Sequence, residues 1–362
     1  MRIKVLPLLF AFVAVFSFQA FAGSEGEKDL NAGNVIFSHI SDAHSWHIFD
    51  YTDKQGHEHA VAISLPVILI NDGHVDVFMS KHFGHGEHQH PYRGYALRGG
   101  GLEREEIICV DEAGNPTGTK PIDLSITKTS AAIMIAVLLL IVILLSVKNM
   151  YVKRGVKAPH GALQGLVEYF VVFVRDDIAR PMIGEKKYER YLPYLLTLFF
   201  FIFFCNCLGL IPFFPAGANI TGNIAVTAIL AFITFFITNF SGNRHYWKDI
   251  FNTPGVPAWL KIFPLMPLVE VVGVFTKPIV LMIRLFANMT AGHIVILGFI
   301  ILIFILGNTV WMAGGVSVLS VLFSVFISAL ECLVAYIQAF VFTMLTALYI
   351  GMAVEEPEHA AE

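Results

Sequence analysis

Charged residues are scarce in this sequence, at 14% of 362 residues, whereas 56% of the residues are hydrophobic. A soluble domain carries about 25% charged residues, so most of this chain is expected to face lipid or other protein. The formal net charge of -4 shows no strong basic or acidic balance, and nucleic acid is not predicted as a partner. The shortage of charge favours a membrane protein over an ordinary soluble fold.

Cysteines and metal-binding motifs are also sparse. Of the four cysteines, Cys205 and Cys207 would point to opposite sides of a helix, which argues against a metal clip or a mutual disulfide. The sequence has neither an HExxH helix nor paired CxxC motifs. It also has no internal repeat, so an inverted-repeat transporter is not supported. No metal or other cofactor is predicted for the membrane part.

The first 22 residues have the arrangement of a secretory signal peptide. Arg2 and Lys4 precede an apolar run, and Ala20-Phe21-Ala22 stands before Gly23. Cleavage after Ala22 is expected, which would place the new N-terminus outside the cytoplasm. An uncleaved anchor helix is the alternative interpretation.

Residues 23–124 are more polar and rich in histidine. Ten of the fourteen histidines lie between His39 and His90, including the run HGEHQH. Short β-branched runs, VAISLPVILI, VDVFMS and EEIICV, predict a small extracytoplasmic domain with some strand. Its histidines are interpreted as a solvated surface, with a zinc or copper site as the alternative.

The rest of the chain predicts an all-α polytopic membrane domain over residues 125–354, with a cytoplasmic tail at 355–362. A membrane-spanning helix needs about 20 apolar residues. The segment 163–183 is too charged to span and is predicted to be an amphipathic helix at the membrane surface. About five crossing segments are expected, at residues 126–147, 191–212, 223–239, 264–306 and 316–352.

Basic residues indicate the orientation of these spans. Cytoplasmic loops carry an excess of lysine and arginine, and such residues cluster after the first and third spans. The N-terminal domain is therefore predicted to be extracytoplasmic and the C-terminus cytoplasmic. The residues concerned are Lys148, Lys153, Arg154, Lys157, Arg244, Lys248 and Lys261.

The last two apolar stretches are too long for simple perpendicular spans. The first would be about 64 Å long as one helix at 1.5 Å per residue, against a hydrocarbon core of about 30 Å. Either this helix breaks, at Pro278, or both segments lean steeply as a hairpin. The hairpin would be closed by a turn over residues 307–315.

Arg284 lies in the middle of an apolar stretch. An arginine at this depth costs about 2.5 to 3.5 kcal/mol on insertion scales and must have a partner or a wet cavity. Asn288, His293 and Glu270 extend a thread of polar groups along the same segment, which suggests an ion path. Because a guanidinium keeps its charge when desolvated, it would hold a carboxylate ionised and bar protons from passing straight through.

Glu331 and Gln338 are seven residues apart in the final segment and share one helix face. Antiparallel packing of the last two segments could bring His293 towards Glu331 and Arg284 towards Gln338. A buried carboxylate beside an imidazole would be a relay that titrates near neutral pH. A structural ion pair between two helices is the alternative.

Three stretches, TKPIVLMIRLFANMTAGH, ECLVAYIQAFVFTMLTALYI and NCLGLIPFF, resemble the a subunit of F-type rotary ATP synthases, over roughly residues 125–354. The resemblance implies a bacterial inner-membrane stator beside a ring of c subunits, with the b-subunit peripheral stalk and the remaining complex as partners. It implies no catalytic site within this chain. Protons would pass through two offset half-channels and ride on the ring carboxylates between them.

The resemblance also implies roles for single residues. Arg284 matches the essential arginine that separates the half-channels, Gln338 the glutamine facing it, and Asn288 the asparagine one turn on. His293 and Glu331 match an acid and histidine pair, here in reversed order, which is assigned to the outer half-channel. Glu270 matches an acid of the cytoplasmic half-channel, and Asn223 is expected to line the third span.

Two other functions are compatible with the sequence pattern. A freestanding ion channel or transporter would use the same polar thread without a ring. A polytopic metalloenzyme would need histidine or carboxylate ligands that converge within the spans, yet His293 is the one histidine in them. The proton-translocating stator subunit is the preferred interpretation.

Overall fold

A computed structural model describes residues 40–52, 58–84, 90–100, 103–111, 114–155, 161–211, 217–251, 265–306 and 310–355, with the single residues 33, 36 and 37. The predicted signal peptide lies outside these residues. The chain divides into two compact units. Unit 1 comprises residues 1–133, 209–219 and 290–332, and unit 2 comprises residues 134–208, 220–289 and 333–362.

The N-terminal part of unit 1 is a small β domain with three antiparallel sheets. The pairs β1–β2 and β5–β6 form two of them, and the order β4–β3–β7 forms the third. The strands are β1 (Ser45–Thr52), β2 (Glu58–Ser64), β3 (Pro66–Asn71), β4 (His74–Met79), β5 (Tyr95–Gly100), β6 (Glu103–Cys109) and β7 (Ile122–Asp123). The predicted strand content is confirmed, whereas β1, β5 and β7 were not anticipated.

Residue chemistry explains the central hairpin of this domain. Strand β3 turns Val67 and Leu69 into the core, and the chain then reverses through Asp72 and Gly73, both with positive φ. An Asp-Gly pair at these positions is typical of a two-residue hairpin turn. The core contains Val67, Leu69, Phe78, Phe83, Tyr95, Ile107 and Cys109.

His44 links two strands of the β domain, and its neighbours Ala43 and Asp42 accept hydrogen bonds from the start of the first long helix. Its Nδ1 lies 3.0 Å from Glu105 Oε2, and its Nε2 lies 2.9 Å from Asp123 Oδ2. Burial alone would lower the pKa of His44, but the hydrogen bonds with Asp123 and Glu105 outweigh it and raise the pKa to about 9. Burial would likewise raise the pKa of Asp123, but the hydrogen bonds with His44 and Ser125 lower it to about 2.

This arrangement predicts a pH window for the attachment. The contribution of His44 to the stability of the folded protein is complete below its unfolded pKa of 6.5 and is lost as the pH rises through about 9. The contribution of Asp123 to stability is present above its unfolded pKa of 3.8 and is lost as the pH falls through about 2. Replacing His44 by alanine should speed hydrogen exchange of the Lys128 and Thr129 amides, which donate to Ala43 and Asp42, at least tenfold at pH 7.

The matched control is His74→Ala, because His74 is exposed at the tip of the central hairpin. Full-length protein in detergent should show no change of exchange at Lys128 and Thr129 in that variant. Equal protection in the His44 and His74 variants would contradict the structural role of His44. A His44 effect that persists unchanged at pH 10 would contradict the ionic origin of the attachment.

Most of the described residues after the β domain are helical. Five helices are long and apolar enough to cross a membrane, which confirms the predicted count. The helices are α1 (Lys128–Arg154), α2 (Ala162–Phe173), α3 (Arg180–Ile183), α4 (Tyr188–Gly209), α5 (Ile224–Ser241), α6 (Arg244–Phe251), α7 (Leu265–Leu306) and α8 (Val310–Val354). The five candidate spans lie within α1, α4, α5, α7 and α8.

Helices α7 and α8 decide between the two alternatives that the sequence left open. Helix α7 continues through Pro278 for 42 residues, so the alternative of a break at Pro278 is excluded. A proline inside a membrane helix is tolerated because neighbouring groups satisfy the freed backbone. Helix α8 begins at Val310, so residues 310–315 are helical and the predicted turn over 307–315 is too long.

The amphipathic segment is also more complex than predicted. A π-helical turn at Val174–Ala179 connects α2 to α3, where one helix was expected over residues 163–183. Its charges are paired, because Arg175 donates to Asp176 at 2.9 and 2.8 Å and Arg180 lies 2.9 Å from the same carboxylate. The hydrogen bond with Arg175 lowers the pKa of Asp176.

Helices of unit 2 pack around a large apolar core. Side chains from α4, α7 and α8 meet in it, and Leu195, Phe199, Leu281, Leu285 and Ile350 are almost fully buried. The end of α8 is held by Lys187 Nζ and Asn243 Nδ2, which donate to the Val354 carbonyl at 2.7 and 2.9 Å. These donors satisfy a carbonyl that a helix end otherwise leaves unpaired.

Candidate functional site

The face of α7 around Arg284 points away from the core of unit 2. Leu281, Leu285 and Met289 are buried at 2%, 1% and 3% exposure, whereas Arg284 and Asn288 are exposed. Residues four apart on a helix share a face, so Leu281, Leu285 and Met289 form one buried stripe and Arg284 and Asn288 form an exposed stripe next to it. We call the exposed surface formed by Arg284, Ala287, Asn288 and Ala291 the arginine face.

Arg284 makes no hydrogen bond or ion pair with any residue that the structure describes. A guanidinium has five N–H donors and a permanent charge, so at mid-span it needs an acceptor. Its charge acts on the Tyr349 hydroxyl of α8, but that group is neutral at ordinary pH. No strong acceptor for Arg284 therefore lies within the described part of the chain.

Small side chains flank Arg284 on the same face. Ala287 and Ala291 are both exposed, and alanines allow another helix to approach closely in a membrane. On either side, the exposed α7 residues are large and apolar, such as Ile283 and Val295. The arginine face therefore offers a shallow contact surface with a cation in it.

Gln338 of α8 lies inside unit 2, at 6% exposure. Within the described residues it forms no hydrogen bond with Arg284, so the expected approach of these two side chains is not a direct bond. One residue later, Ala339 is fully buried. Gln338 thus lies within the helix packing, whereas Arg284 lies at its surface.

Asn206 is a buried polar residue that the sequence analysis did not assign to the site. It is fully buried, accepts a hydrogen bond of 2.6 Å from Thr221 Oγ1 and donates one of 3.4 Å to the Ala335 carbonyl. Ala335 lies one turn before Gln338 on α8. The signal in the sequence was an asparagine within the otherwise apolar run that ends in NCLGLIPFF.

Glu270 lies near the start of α7 and is half-buried. Burial raises the pKa of Tyr246 on α6, and the negative charge of Glu270 adds to that rise. Lys277, two turns further along α7, has its ammonium 5.3 Å from the centre of the Tyr349 ring. Glu270, Lys277 and Tyr349 therefore continue the polar thread from Arg284 towards the start of α7.

Glu331 lies in unit 1, on the part of α8 that packs against α7. It is 7% exposed, and its side chain contacts Gly292, where a Cβ atom would meet the Glu331 carboxylate. Neither carboxylate oxygen has a hydrogen-bond partner among the described residues. A buried carboxylate without partners is costly as an anion, which is expected of a group that takes up and releases protons.

His293 is next to Gly292, so the structure brings it to the helix turn that Glu331 contacts. Its Nε2 lies 3.3 Å from the Gly209 carbonyl oxygen, which can accept a hydrogen bond from a protonated Nε2. The Glu331 oxygens accept no hydrogen bond from any described group, so the relay between His293 and Glu331 is not a direct bond here. The two residues are neighbours across the helix contact.

Asn223 has a local structural function in the described fold. It is the N-cap of α5, and its side-chain oxygen accepts a hydrogen bond of 3.0 Å from the Ala225 N–H. The third span was predicted to begin at Asn223, and the helix begins one residue later. The predicted role of Asn223 as a lining residue of that span stays a prediction.

The structure describes no group of three or more histidine, cysteine or acidic residues that could hold a metal ion. Most of the HGEHQH run, residues 85–89, lies outside the described residues. The zinc or copper alternative for the N-terminal domain therefore stays a prediction.

Two family models match different parts of the chain. The model described as ATP synthase A chain matches residues 130–351, which includes α4, α5, α7 and most of α8. A domain of unknown function, DUF8433, matches residues 35–124. The second match covers the β domain and assigns no activity to it.

Curated relatives give the same result for the membrane part. The chain is 46% identical over 243 residues to ATP synthase subunit a of Myxococcus xanthus, covering 66% of this chain and 76% of the relative. It is 43% identical over 245 residues to ATP synthase subunit a of Chloroherpeton thalassium, covering 66% and 70%. ATP synthase subunit a 2 of Chlorobium luteolum is 45% identical over 246 residues, covering 67% and 69%.

Proposed function

Because this chain belongs to the ATP synthase A chain family, we propose that its arginine face is the surface on which a ring of c subunits turns. The chain is a multi-pass membrane subunit of ATP synthase and acts as the proton-translocating stator of the membrane sector. Each passing c subunit would present one carboxylate to Arg284. The b-subunit peripheral stalk would hold the stator against the turning ring.

One observation carries this proposal. Arg284 is exposed on the stripe of α7 next to the buried Leu281 and Leu285, and no acceptor for it exists among the described residues. A cation in the membrane needs a partner or a wet cavity, and an anion from another subunit would be such a partner. A carboxylate on a neighbouring, moving helix meets that requirement.

The fixed positive charge explains how flow is coupled to rotation. One elementary charge falling through 100 mV yields about 2.3 kcal/mol, which a direct proton leak would dissipate. A guanidinium keeps its proton even when desolvated, so it passes none on and repels a proton moving straight across. Protons then reach the other side only as neutral ring carboxylates that travel through lipid.

The other predicted residues fit positions along this path. We assign Gln338 and Asn288 to the region around Arg284, and Glu270 to the cytoplasmic half-channel. His293 and Glu331 are assigned to the outer half-channel. The support for Glu331 is its buried carboxylate without partners, and the support for Glu270 is its place on the polar thread with Lys277.

Orientation and location follow from the basic residues. The end of α1 and the segments that follow α1 and α5 contain the lysines and arginines named above, which supports a cytoplasmic position for these segments and for the C-terminus. The β domain would then be extracytoplasmic and residues 1–22 a signal peptide, in a bacterial inner membrane. ATP would be made elsewhere in the complex, by subunits with nucleotide sites of their own.

A freestanding channel or transporter is not favoured. Such a protein would place its charged residues towards its own interior, whereas Arg284 points outward from unit 2. Copurification of this chain with a c ring and a nucleotide-binding head separates the two functions.

Cysteine cross-linking tests the proposed contact directly. Ala287→Cys, in a chain whose exposed Cys332 is replaced by serine, should form a disulfide with a cysteine placed beside the ring carboxylate. The matched control is Ile229→Cys, because Ile229 is 60% exposed on α5. Equal cross-linking at both positions, or none at Ala287→Cys in an assembled complex, would refute the contact.

Exchange of His293 and Glu331 tests the assigned relay. We expect either single change, His293→Glu or Glu331→His, to lower ATP-driven proton pumping at least tenfold, because each leaves two like groups at one helix contact. The double exchange should restore part of this loss. Absence of recovery in an assembled double variant would count against a functional coupling of the two residues.

A further inference from the structure

A cavity of about 420 Å³ lies where α4 begins and where α5 and α8 end. Cavities that bind small ligands commonly enclose about 300 to 1,000 Å³, so this one has the size of a binding site. The lining residues that distinguish it are charged, aromatic or hydroxyl-bearing. They are Lys187, Arg190, Tyr191, Phe236, Phe240 and Ser241.

The cavity lies at the membrane boundary, because the three helices around it are candidate membrane spans. The span in α4 begins at Tyr188, and the spans in α5 and α8 end at Ser241 and Val354. These ends meet on one side of the membrane, since α4 enters the bilayer where α5 and α8 leave it. The cavity is therefore at the level where hydrocarbon gives way to lipid headgroups.

Contacts on either side of the cavity fix its walls. Tyr194 Oη and Thr234 Oγ1 lie 2.9 Å apart and join α4 to α5 one turn deeper along α4. The end of α8 is held by Lys187 Nζ and Asn243 Nδ2, which both donate to the Val354 carbonyl. The cavity is thus bounded by packed helices.

The cavity carries positive charge and no carboxylate. Lys187 and Arg190 are its two charged lining residues. Arg190 is exposed, its guanidinium lies 5.9 Å from the centre of the Tyr191 ring, and it pairs with no carboxylate among the described residues. The acidic neighbour Glu189 lies 3.5 Å from Tyr188 Oη instead. A guanidinium in this position can bind a phosphate through two parallel N–H donors.

The rest of the cavity is aromatic. Phe236 and Phe240 stack at 6.0 Å between ring centres, and Phe240 is 85% exposed. Both belong to the exposed apolar residues of α5, which include Ile229 and Phe232. Cationic groups and apolar rings therefore line the same cavity, as a site for an anionic amphiphile requires.

We propose that this cavity binds an anionic phospholipid, with the phosphate at Arg190 and Lys187 and the start of an acyl chain against Phe236 and Phe240. Basic pockets between membrane helices recognise such headgroups. A soluble phosphate would leave the aromatic rings unused, and a zwitterionic lipid would bring a third cation to the site. This inference goes beyond the proposed function and does not depend on the role of Arg284.

Photolabelling of the assembled complex tests the lipid site. The complex is placed in phosphatidylcholine nanodiscs with a small, constant fraction of phosphatidylglycerol that carries a diazirine in its acyl chain. Irradiation should label the end of α5. Exchange of part of the phosphatidylcholine for unlabelled phosphatidylglycerol should lower this labelling at least fivefold, whereas inorganic phosphate in the buffer should not.

Two results of this experiment would overturn the proposal. Equal competition by inorganic phosphate would indicate a site for soluble phosphate. Absence of labelling at the end of α5 would indicate that another subunit fills the cavity in the assembled complex.

Removal of the Arg190 charge tests the proposed phosphate contact. Arg190→Gln should lower labelling at the end of α5 at least fivefold. The matched control is Lys186→Gln, because Lys186 is exposed and close in sequence but does not line the cavity. It should label like the parent, and equal labelling in the two variants would overturn the proposal.

A second pair of variants keeps both cations and gives a result even if Arg190→Gln does not assemble. Ser241→Glu adds a carboxylate to the cavity, whereas Ser241→Gln adds a side chain of the same size without charge. Labelling should be at least fivefold weaker in Ser241→Glu than in Ser241→Gln, because like charges repel. Similar labelling in this pair would show that no anion is bound in the cavity.

Discussion

Replacing Arg284 by alanine is expected to lower proton-driven ATP synthesis at least a hundredfold while the complex stays assembled. Arg284 is exposed and contributes nothing to the core formed by Leu281, Leu285 and Met289, so its loss should not disturb the fold. Without the cation, the ring carboxylate loses the partner that keeps it ionised. Nothing then prevents protons from crossing between the half-channels without rotation.

ATP synthesis driven by an imposed proton gradient in inverted membrane vesicles provides the measurement, with proton leak through the membrane sector as a second readout. Ile283→Ala is the matched control, because Ile283 is a neighbouring residue with 51% exposure and no charge. It should retain most of the activity. Near-normal synthesis in Arg284→Ala would remove this residue from the centre of the mechanism.

Gly292→Ala is expected to produce the second large effect, a loss of proton translocation of at least tenfold. A Cβ atom at position 292 would lie 2.9 Å from Glu331 Cδ and 3.2 Å from its Cγ, and closer still to Oε1. The far end of a glutamate side chain can move, so the helix contact should survive while the carboxylate is displaced. The group assigned to the outer half-channel would then be out of place.

Gly298→Ala provides a control on the same helix. A Cβ atom at position 298 meets nothing within 4 Å, and alanine is the better helix former by about 1 kcal/mol. Proton pumping in vesicles should be unchanged in this variant. Similar rates for the Gly292 and Gly298 variants would indicate that the position of the Glu331 carboxylate does not matter for transport.

Much of the fold was accessible from the sequence because long apolar runs fix the number of spans. The predicted span at residues 191–212 corresponds to α4, Tyr188–Gly209, and the predicted span at 223–239 corresponds to α5, Ile224–Ser241. Pro278 left a break in α7 open as an alternative, since a proline inside an apolar helix often marks a break although packing can accommodate it.

The orientation of side chains could not be predicted in the same way. In a membrane helix both the core side and the lipid side are apolar, so hydrophobic periodicity does not distinguish them. Spacing placed Arg284 and Asn288 on one face and Glu331 and Gln338 on another. It could not show that Arg284 would be exposed while Gln338 would be buried.

Contacts between distant segments also could not be predicted from the sequence. Asn206 is held by groups 15 and 129 residues away, and His44 by carboxylates 61 and 79 residues away. Such partners depend on the packing of whole elements, which spacing along one helix does not specify. Asn223 shows the opposite case, because its role as a helix cap is local and could have been identified.

The outward position of Arg284 also bears on biogenesis. A newly inserted copy that has not yet met its ring exposes a cation to hydrocarbon, at a cost of about 2.5 to 3.5 kcal/mol on insertion scales. A carboxylate on a neighbouring subunit would remove that cost, so association with the ring would stabilise the inserted chain. The residue that we propose to couple proton flow to rotation would therefore also favour assembly of the complex.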